Sequence, residues 1–382
     1  MASKKRTIDT YFGIPKAKKP RGFDTSVLHE ESTVSKTIQT AGSHITDTDN
    51  TTNPVTAKNS ENAIYSTHAS YPFPIPHLSD ALEAAILGLP TRAGRVIANR
   101  TGLDLLYFEP YISRNTARQL FEFLRSELPF YRVEYDIMRG GAKAHVRTPR
   151  WTTVFGLDET ARFEINHPSV PGSISGPQSL EGKVVDILTG RPILVGIHDT
   201  PDQRTQAGYK AIPRPVPYCL DALRRSTEAA TGCQFNFCLV NYYASGEDSI
   251  SFHSDDERFL GQCPAIASFS LGARRDFLMK QKLPKSELEE LNSSTSKGSL
   301  KLPLGNGDMV LMRGRTQATW QHSIPKRSGK NEWDGGRINI TFRRALVRGG
   351  TDNYYQYNVG SGPVYKWSAA DQEMRPWTQP PN

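Results

Sequence analysis

The seven residues Arg337-Ile338-Asn339-Ile340-Thr341-Phe342-Arg343 alternate strictly between polar and apolar. A period of two is the period of a strand, so Ile338, Ile340 and Phe342 share one face while Arg337, Asn339, Thr341 and Arg343 share the other. The apolar face must be buried, which leaves the polar face to be explained. On a half-exposed strand it stands in water. In a closed β structure it looks inward, and buried guanidinium groups are costly unless anions pair with them. A dicarboxylate brings two such partners, and arginine matches carboxylates through paired donors.

Other short β-like runs cluster with this one behind Gly232: Gln234 to Tyr243, Ala265 to Leu271, Arg275 to Lys280 and Asp308 to Arg313, with the alternating strand running on to Leu346. Clustered strands of this length predict a sandwich or jelly roll. Helices are expected upstream. Ser79 caps one carrying Ala81, Leu82, Ala85, Ile86 and Leu89, stopped by Pro90. Ser113 caps another with Ala117, Leu120, Phe121, Leu124 and Leu128, ending at Pro129, and a third runs from Pro217 to Thr231 with Gly232 as its stop. A hairpin is expected between Val133 and Val146 around Gly140-Gly141. The stretches from His167 to Pro217 and from Leu283 to Lys301 read as loops. The fold class is α+β, mainly β: a sandwich or jelly roll over 78–348, with insertions near 157–216 and 283–301 and a C-terminal extension over 349–382.

The N-terminus is different in kind. Residues 23–77 are rich in Ser, Thr, Asn and Asp with few large apolar groups, a composition that cannot offset the entropy of ordering, and are expected to be a disordered linker. Of the net charge of +8, six units fall within the first 21 residues, where seven cations stand against Asp9. The high pI therefore describes a basic tail over 1–22 more than a basic domain. No run approaches the roughly 20 apolar residues that span a bilayer, and a soluble, intracellular monomer is expected. Cys219, Cys233, Cys238 and Cys263 form no C-x-x-C pair and are read as reduced core residues.

Chemistry enters at Ser251-Phe252-His253-Ser254-Asp255-Asp256. In an extended segment, side chains two apart point the same way, so His253 and Asp255 can converge on one ion. His322 completes a two-histidine, one-carboxylate face, the arrangement of non-haem iron(II) oxygenases that leaves open positions for a cosubstrate and O2. Taken alone, H-x-D is a common tripeptide. On the run from Phe235 to Tyr243, Asn241 and Tyr243 share a face that turns polar at its end, placed either to hold the same dicarboxylate or simply to hydrogen-bond at a strand end.

Together, Asn241-Tyr242-Tyr243, His253-x-Asp255-Asp256-Glu257, Ala267 to Gly272, Arg275-Asp276-Phe277, His322-Ser323 and Arg337-x-Asn339-x-Thr341-x-Arg343 resemble the AlkB family, most closely its eukaryotic DNA-repair branch, over roughly Leu105 to Leu346. The resemblance implies a double-stranded β-helix that oxidises N-linked alkyl groups on nucleobases, the carbon leaving as an aldehyde, with succinate and carbon dioxide as coproducts. It implies that His253, Asp255 and His322 bind Fe(2+), and that Asn241, Tyr243, Arg337 and Arg343, with Asn339 between the arginines, hold 2-oxoglutarate.

A base inside a duplex cannot reach such a centre, so the target must be flipped or single-stranded. Asp256 and Glu257 are candidate base readers, Glu257 foremost, against the alternative of a solvated acidic pair. Pro149-Arg150-Trp151-Thr152-Thr153-Val154-Phe155-Gly156 resembles the family's nucleotide-recognition lid, where Arg150 would meet a phosphate and Phe155 would stack on the base, phenylalanine replacing the usual tyrosine. At the hairpin tip, Ile137, Met138 and Arg139 either probe a duplex or pack locally. Lys5 to Phe12 resembles a sliding-clamp-binding box with Ile8, Tyr11 and Phe12 as anchors and Lys5 in place of its glutamine. The following Pro15 to Arg21 patch suits nuclear import or phosphate contact. The expectation is a nuclear enzyme acting on DNA with 1-methyladenine- or 3-methylcytosine-type lesions. RNA demethylation by the same chemistry and a noncatalytic clamp- or nucleic-acid-binding protein are the alternatives. The aromatic C-terminus, Tyr354 to Trp377, carries no assigned role.

Overall fold

The computed structural model describes residues 64–89, 93–165, 180–196, 208–282, 299–327 and 336–379. The basic tail, its clamp-like box and the linker up to residue 63 lie outside the described residues.

Eight strands form the centre: β1 (Phe237–Tyr243), β2 (Ile250–His253), β3 (Ile266–Gly272), β4 (Arg275–Gln281), β5 (Ser299–Leu304), β6 (Asp308–Met312), β7 (Trp320–Ile324) and β8 (Arg337–Arg343). They lie in two antiparallel sheets, one containing the order β1-β8-β3-β6 and the other β2-β7-β4-β5. The chain changes sheet at every step except β4 to β5. Phe237, Leu239 and Val310 of the first sheet and Phe277, Met279, Leu302 and Trp320 of the second share one apolar core, so the sheets face each other. The fold is mainly β.

The first sheet continues outwards to ten strands. Trp151–Gly156 pairs with β1, followed by Phe130–Tyr131, Val364–Ser368 and Glu373–Pro376; on the far side Leu105–Phe108 pairs with β6 and Arg95–Ile97 lies beyond. The stretch after residue 348 is therefore part of the sheet. Gly156 ends its strand at φ 109, and a Cβ there would lie 2.2 Å from the Asn236 carbonyl oxygen, which only glycine tolerates.

The expected helices form, although the first ends at Gly88, short of the expected Leu89, and its expected stop Pro90 lies outside the described residues. Helix α1 (Asp80–Leu87) is capped by the Ser79 hydroxyl accepting from Leu82 N, α2 (Arg114–Glu127) by Ser113 accepting from Thr116 N, and α3 (Tyr218–Thr231) ends at left-handed Gly232. Their apolar stripes cover the outer face of the large sheet: Leu82, Leu120, Phe121, Leu124 and Leu223 pack in one core with Ile338, Ile340 and Phe342 of β8. Each fully buried Ile or Phe contributes about 1.5–3 kcal/mol, so this covering fixes which way the alternating strand faces. The hairpin is Glu134–Arg139 with Ala142–Arg147, turning at Gly140 and Gly141, both with positive φ.

Four expectations change. Residues 64–77, expected to belong to a disordered linker, are ordered: Tyr65–Ser66 pairs with Ile75–Pro76, and Phe73 and Ile75 are buried. The stretch from 167 to 217, read as loop, contains Leu180–Asp186 and Pro192–Ile193, which join Ala161–Ile165 in a three-stranded sheet. Val184 there packs with Leu157, Ala161 and Tyr209 in a separate small core that glycine- and proline-rich composition concealed. The second loop ends earlier than expected, because β5 begins at Ser299. Cys263 is exposed; only Cys219 and Cys238 are core residues, and Cys233 is half-buried.

Candidate active site

With its apolar face held by the helices, β8 turns Arg337, Asn339, Thr341 and Arg343 into a cavity between the two sheets. The neighbouring β1 sends Leu239, Asn241 and Tyr243 into the same space, and β3 sends Ser268. From the small sheet, β2 and β7 pair so that His253 stands directly opposite His322. This cross-strand pairing brings together residues 69 positions apart in sequence.

The two imidazole rings lie 4.2 Å apart between centroids. Asp255 Oδ1 is 4.0 Å from His253 Nε2, and Asp255 Oδ2 is 3.9 Å from His322 Nε2. All three ligating atoms fall within 4.8 Å of one another, the one such group among the described residues. Ligand atoms about 2.1 Å from one ion and about 90° apart on one face lie roughly 3 Å from one another, so the three side chains would draw in by about 1 Å on binding a metal. His253 Nδ1 lies 2.8 Å from the Ser251 carbonyl oxygen, and since a carbonyl only accepts, Nδ1 carries the proton and Nε2 keeps its lone pair for a metal.

Electrostatics favour the ligating forms. Burial pushes His322 down to about 3 and lowers His253 as well, keeping both imidazoles neutral. Burial would raise the Asp255 carboxyl, but Arg343 and the two histidines outweigh it and hold it below its ordinary range. Arg343 Nη2 donates to Asp255 Oδ2 at 2.9 Å and Nη1 to Thr341 Oγ1 at 2.6 Å. Arg343 thus aims the carboxylate at the two imidazoles.

Arg337, at the other end of β8, is in a different state. It is fully buried, and among the described residues it donates only Nη2, to Ser270 Oγ at 2.8 Å, leaving Nε and Nη1 without hydrogen-bond partners there. Its guanidinium packs over the Tyr243 ring, 5.3 Å from the centroid. Burial lowers Arg337 to about 10, still cationic at neutral pH. A buried cation with two idle donors is costly, and a carboxylate is the group that fits them. Asn241 accepts from Arg150 Nε at 2.7 Å, and Asn339 Nδ2 is held by Ser268 Oγ and the Phe269 carbonyl.

The expected substrate contacts divide. Glu257 lines the cavity; its Oε1 accepts from Tyr354 OH at 3.1 Å, while the buried Oε2 has no hydrogen-bond partner among the described residues. Burial, then Asp255, raises Glu257 to about 7. Asp256 instead points outwards and pairs with Lys282 at 2.8 Å. Arg150 lies buried in the cavity wall, where its Nε donates to Asn241. Phe155 faces the opposite side of its strand, fully buried beside Tyr71 and Arg214 in the helix-covered core, and cannot stack on anything in the cavity. The cause is strand parity: Arg150 is five residues, an odd number, from Phe155 and so lies on the other face. Alternation along β3 would have revealed Ser268; nothing in the sequence pointed to Asn353, Tyr354, Tyr357 and Asn358, which close one wall from the C-terminal segment.

A facial set of two histidines and a carboxylate, beside a buried arginine lacking a carboxylate, defines a non-haem iron oxygenase site of the 2-oxoglutarate type. The chain belongs to the 2OG-Fe(II) oxygenase superfamily, whose family model matches residues 104–343. It is 44% identical over 124 residues to alpha-ketoglutarate-dependent dioxygenase alkB homolog 3 of Homo sapiens, covering 32% of this chain and 41% of that protein. The homolog 3 of Rattus norvegicus is 40% identical over 154 residues, 37% of this chain and 50% of the relative. DNA oxidative demethylase ALKBH2 of Arabidopsis thaliana is 36% identical over 143 residues, 35% and 44% of the two chains. The chain matches about half the length of these relatives or less. They uphold the resemblance to the AlkB family that its motifs carry.

Proposed function

We propose that the chain is an iron(II)- and 2-oxoglutarate-dependent dioxygenase that removes N-linked alkyl groups of the 1-methyladenine and 3-methylcytosine type from nucleobases in DNA. The observation that carries the reading is Arg337, buried with two idle donors in the cavity that also holds His253, Asp255 and His322. The strand order, β1-β8-β3-β6 facing β2-β7-β4-β5, supports a double-stranded β-helix.

In this reading His253, Asp255 and His322 hold the iron, Arg337 takes the distal carboxylate of 2-oxoglutarate, and Asn241, Tyr243 and Asn339 line its bed. Iron(II) with 2-oxoglutarate and O2 supplies the oxidising power to hydroxylate a C–H bond, with release of succinate and carbon dioxide. That chemistry would place one oxygen atom on the alkyl carbon and the other on succinate, and the hydroxylated carbon would leave as formaldehyde when its C–N bond breaks, restoring the base. The protein's own part is positioning: Arg343 fixes Asp255, and the Ser251 carbonyl fixes the His253 tautomer. Glu257, with one buried oxygen unpartnered in the cavity wall, supports recognition of a donor-bearing base, such as one with an exocyclic amino group. The printed names of the relatives, among them DNA oxidative demethylase, favour DNA.

The basic tail supports nuclear action, and Ile8, Tyr11 and Phe12 support docking on a sliding clamp by a monomeric enzyme. No described helix is long and apolar enough to cross a membrane. The test is incubation with iron(II), 2-oxoglutarate and oligonucleotides bearing 1-methyladenine or 3-methylcytosine, as DNA and as RNA, scoring restored base and formaldehyde. Restoration on DNA is expected. No turnover on either polymer by protein with iron bound would end the reading.

A further inference from the structure

Beyond residues 104–343, which the family model matches, the chain adds a helix to the cavity wall. Helix Asp352–Asn358 is held on two sides. Tyr355 OH donates to the Gly156 carbonyl at 2.8 Å and accepts from Arg214 N, while the Asn358 carbonyl accepts from Thr152 Oγ1 at 2.8 Å. Tyr354 reaches inwards to Glu257. Asn353 and Tyr357, four apart on one helical face, line the cavity beside Tyr354 and Asn358. The Tyr357 ring is half-buried and braced edge-on by Tyr135 of the 134–147 hairpin, centroids 5.7 Å apart at 70°. Tyr135 also sits close enough to Arg150 to act on its charge. A polar phenol ring held rigidly at the rim, in the cavity that holds the metal triad, is a surface on which a planar ring can stack.

We propose that Tyr357, braced by Tyr135, is the platform on which the alkylated base stacks as it enters the site, so that the C-terminal helix supplies the stacking surface that Phe155 does not. The inference rests on the nucleobase reading above. Any base presents a π-face, so the platform sets affinity for the flipped base, while Glu257 reads its edge.

The test uses the full chain with manganese(II) and 2-oxoglutarate, measuring by anisotropy the Kd of a labelled single-stranded DNA carrying one 1-methyladenine, alongside steady-state turnover with iron(II). Tyr357→Ala is expected to raise Kd and KM about 5- to 150-fold, the range for losing one base–aromatic stack, with a smaller change in kcat. Tyr357→Phe, which keeps the ring, restores binding. Tyr135→Ala weakens binding in the same direction but less. The rise in Tm that 2-oxoglutarate gives each variant shows that the site is folded. Unchanged Kd in Tyr357→Ala, or equal loss in Tyr357→Phe, overturns the platform while wild-type turnover preserves the nucleobase reading. Absence of wild-type turnover overturns both.

Discussion

Replacing Arg337 by methionine keeps most of the side chain's length and removes its charge, and binding and stability should respond in opposite directions. In the protein without cosubstrate the guanidinium is fully buried, and among the described residues Nε and Nη1 are unpartnered and only Ser270 Oγ accepts from it. Removing it strands the Ser270 hydroxyl, which costs about 1 kcal/mol, but also removes two unsatisfied buried donors costing about 1–3 kcal/mol each. Tm without cosubstrate should therefore hold or rise. Binding should collapse. Two charge-assisted hydrogen bonds to a carboxylate contribute about 1.5–3 kcal/mol each; allowing for partial solvation of the freed carboxylate, a loss of about 3–5 kcal/mol corresponds to roughly 10²- to 10³·⁵-fold weaker 2-oxoglutarate binding. Calorimetric titration of 2-oxoglutarate into the manganese(II)-loaded protein measures the second effect, and thermal melts without cosubstrate the first. A Kd within about threefold of wild type, or a fall of several degrees in Tm, would refute the assignment and make Arg337 a structural residue.

Four further outcomes follow from other contacts. Asp255→Ala leaves Arg343 buried without its carboxylate and should destabilise the metal-free protein by about 3–5 kcal/mol in denaturant melts with chelator, besides abolishing turnover. His253→Ala should abolish turnover and metal binding; full activity would refute the triad. Phe155→Ala opens a hole in the helix-covered core and should cost about 3–5 kcal/mol of stability, with substrate KM unchanged because the ring faces away from the cavity; a raised KM would mean that it reaches substrate after all. Phe12→Ala should leave turnover on free oligonucleotides intact and weaken only binding to an immobilised sliding clamp.

The chain's own order of residues determined much of this protein. Period-two alternation marked Arg337 to Arg343 as a strand with two chemically distinct faces, and the caps at Ser79 and Ser113 and the Gly232 stop set the helices to within a residue or two, because these are local effects of backbone and neighbouring side chains. The spacing of His253 and Asp255 was readable for the same reason. What lay beyond local reach was decided by tertiary structure. The helices bury Ile338, Ile340 and Phe342, and that packing is what points the arginines inwards. Strand parity, itself local, puts Phe155 and Arg150 on opposite faces, but only the packing of the helices decides that the face carrying Phe155 is the core and so removes it from the stacking role expected of it. The division between Arg343, paired with the Asp255 carboxylate although its Nε too is idle, and Arg337, which meets no carboxylate among the described residues, depends on distances across the two sheets. The C-terminal wall, with Tyr354 on Glu257 and Tyr357 at the rim, joins residues about 100 or more positions from their partners. Contacts of that separation leave no periodic trace in a sequence, since only closure of the chain brings them together.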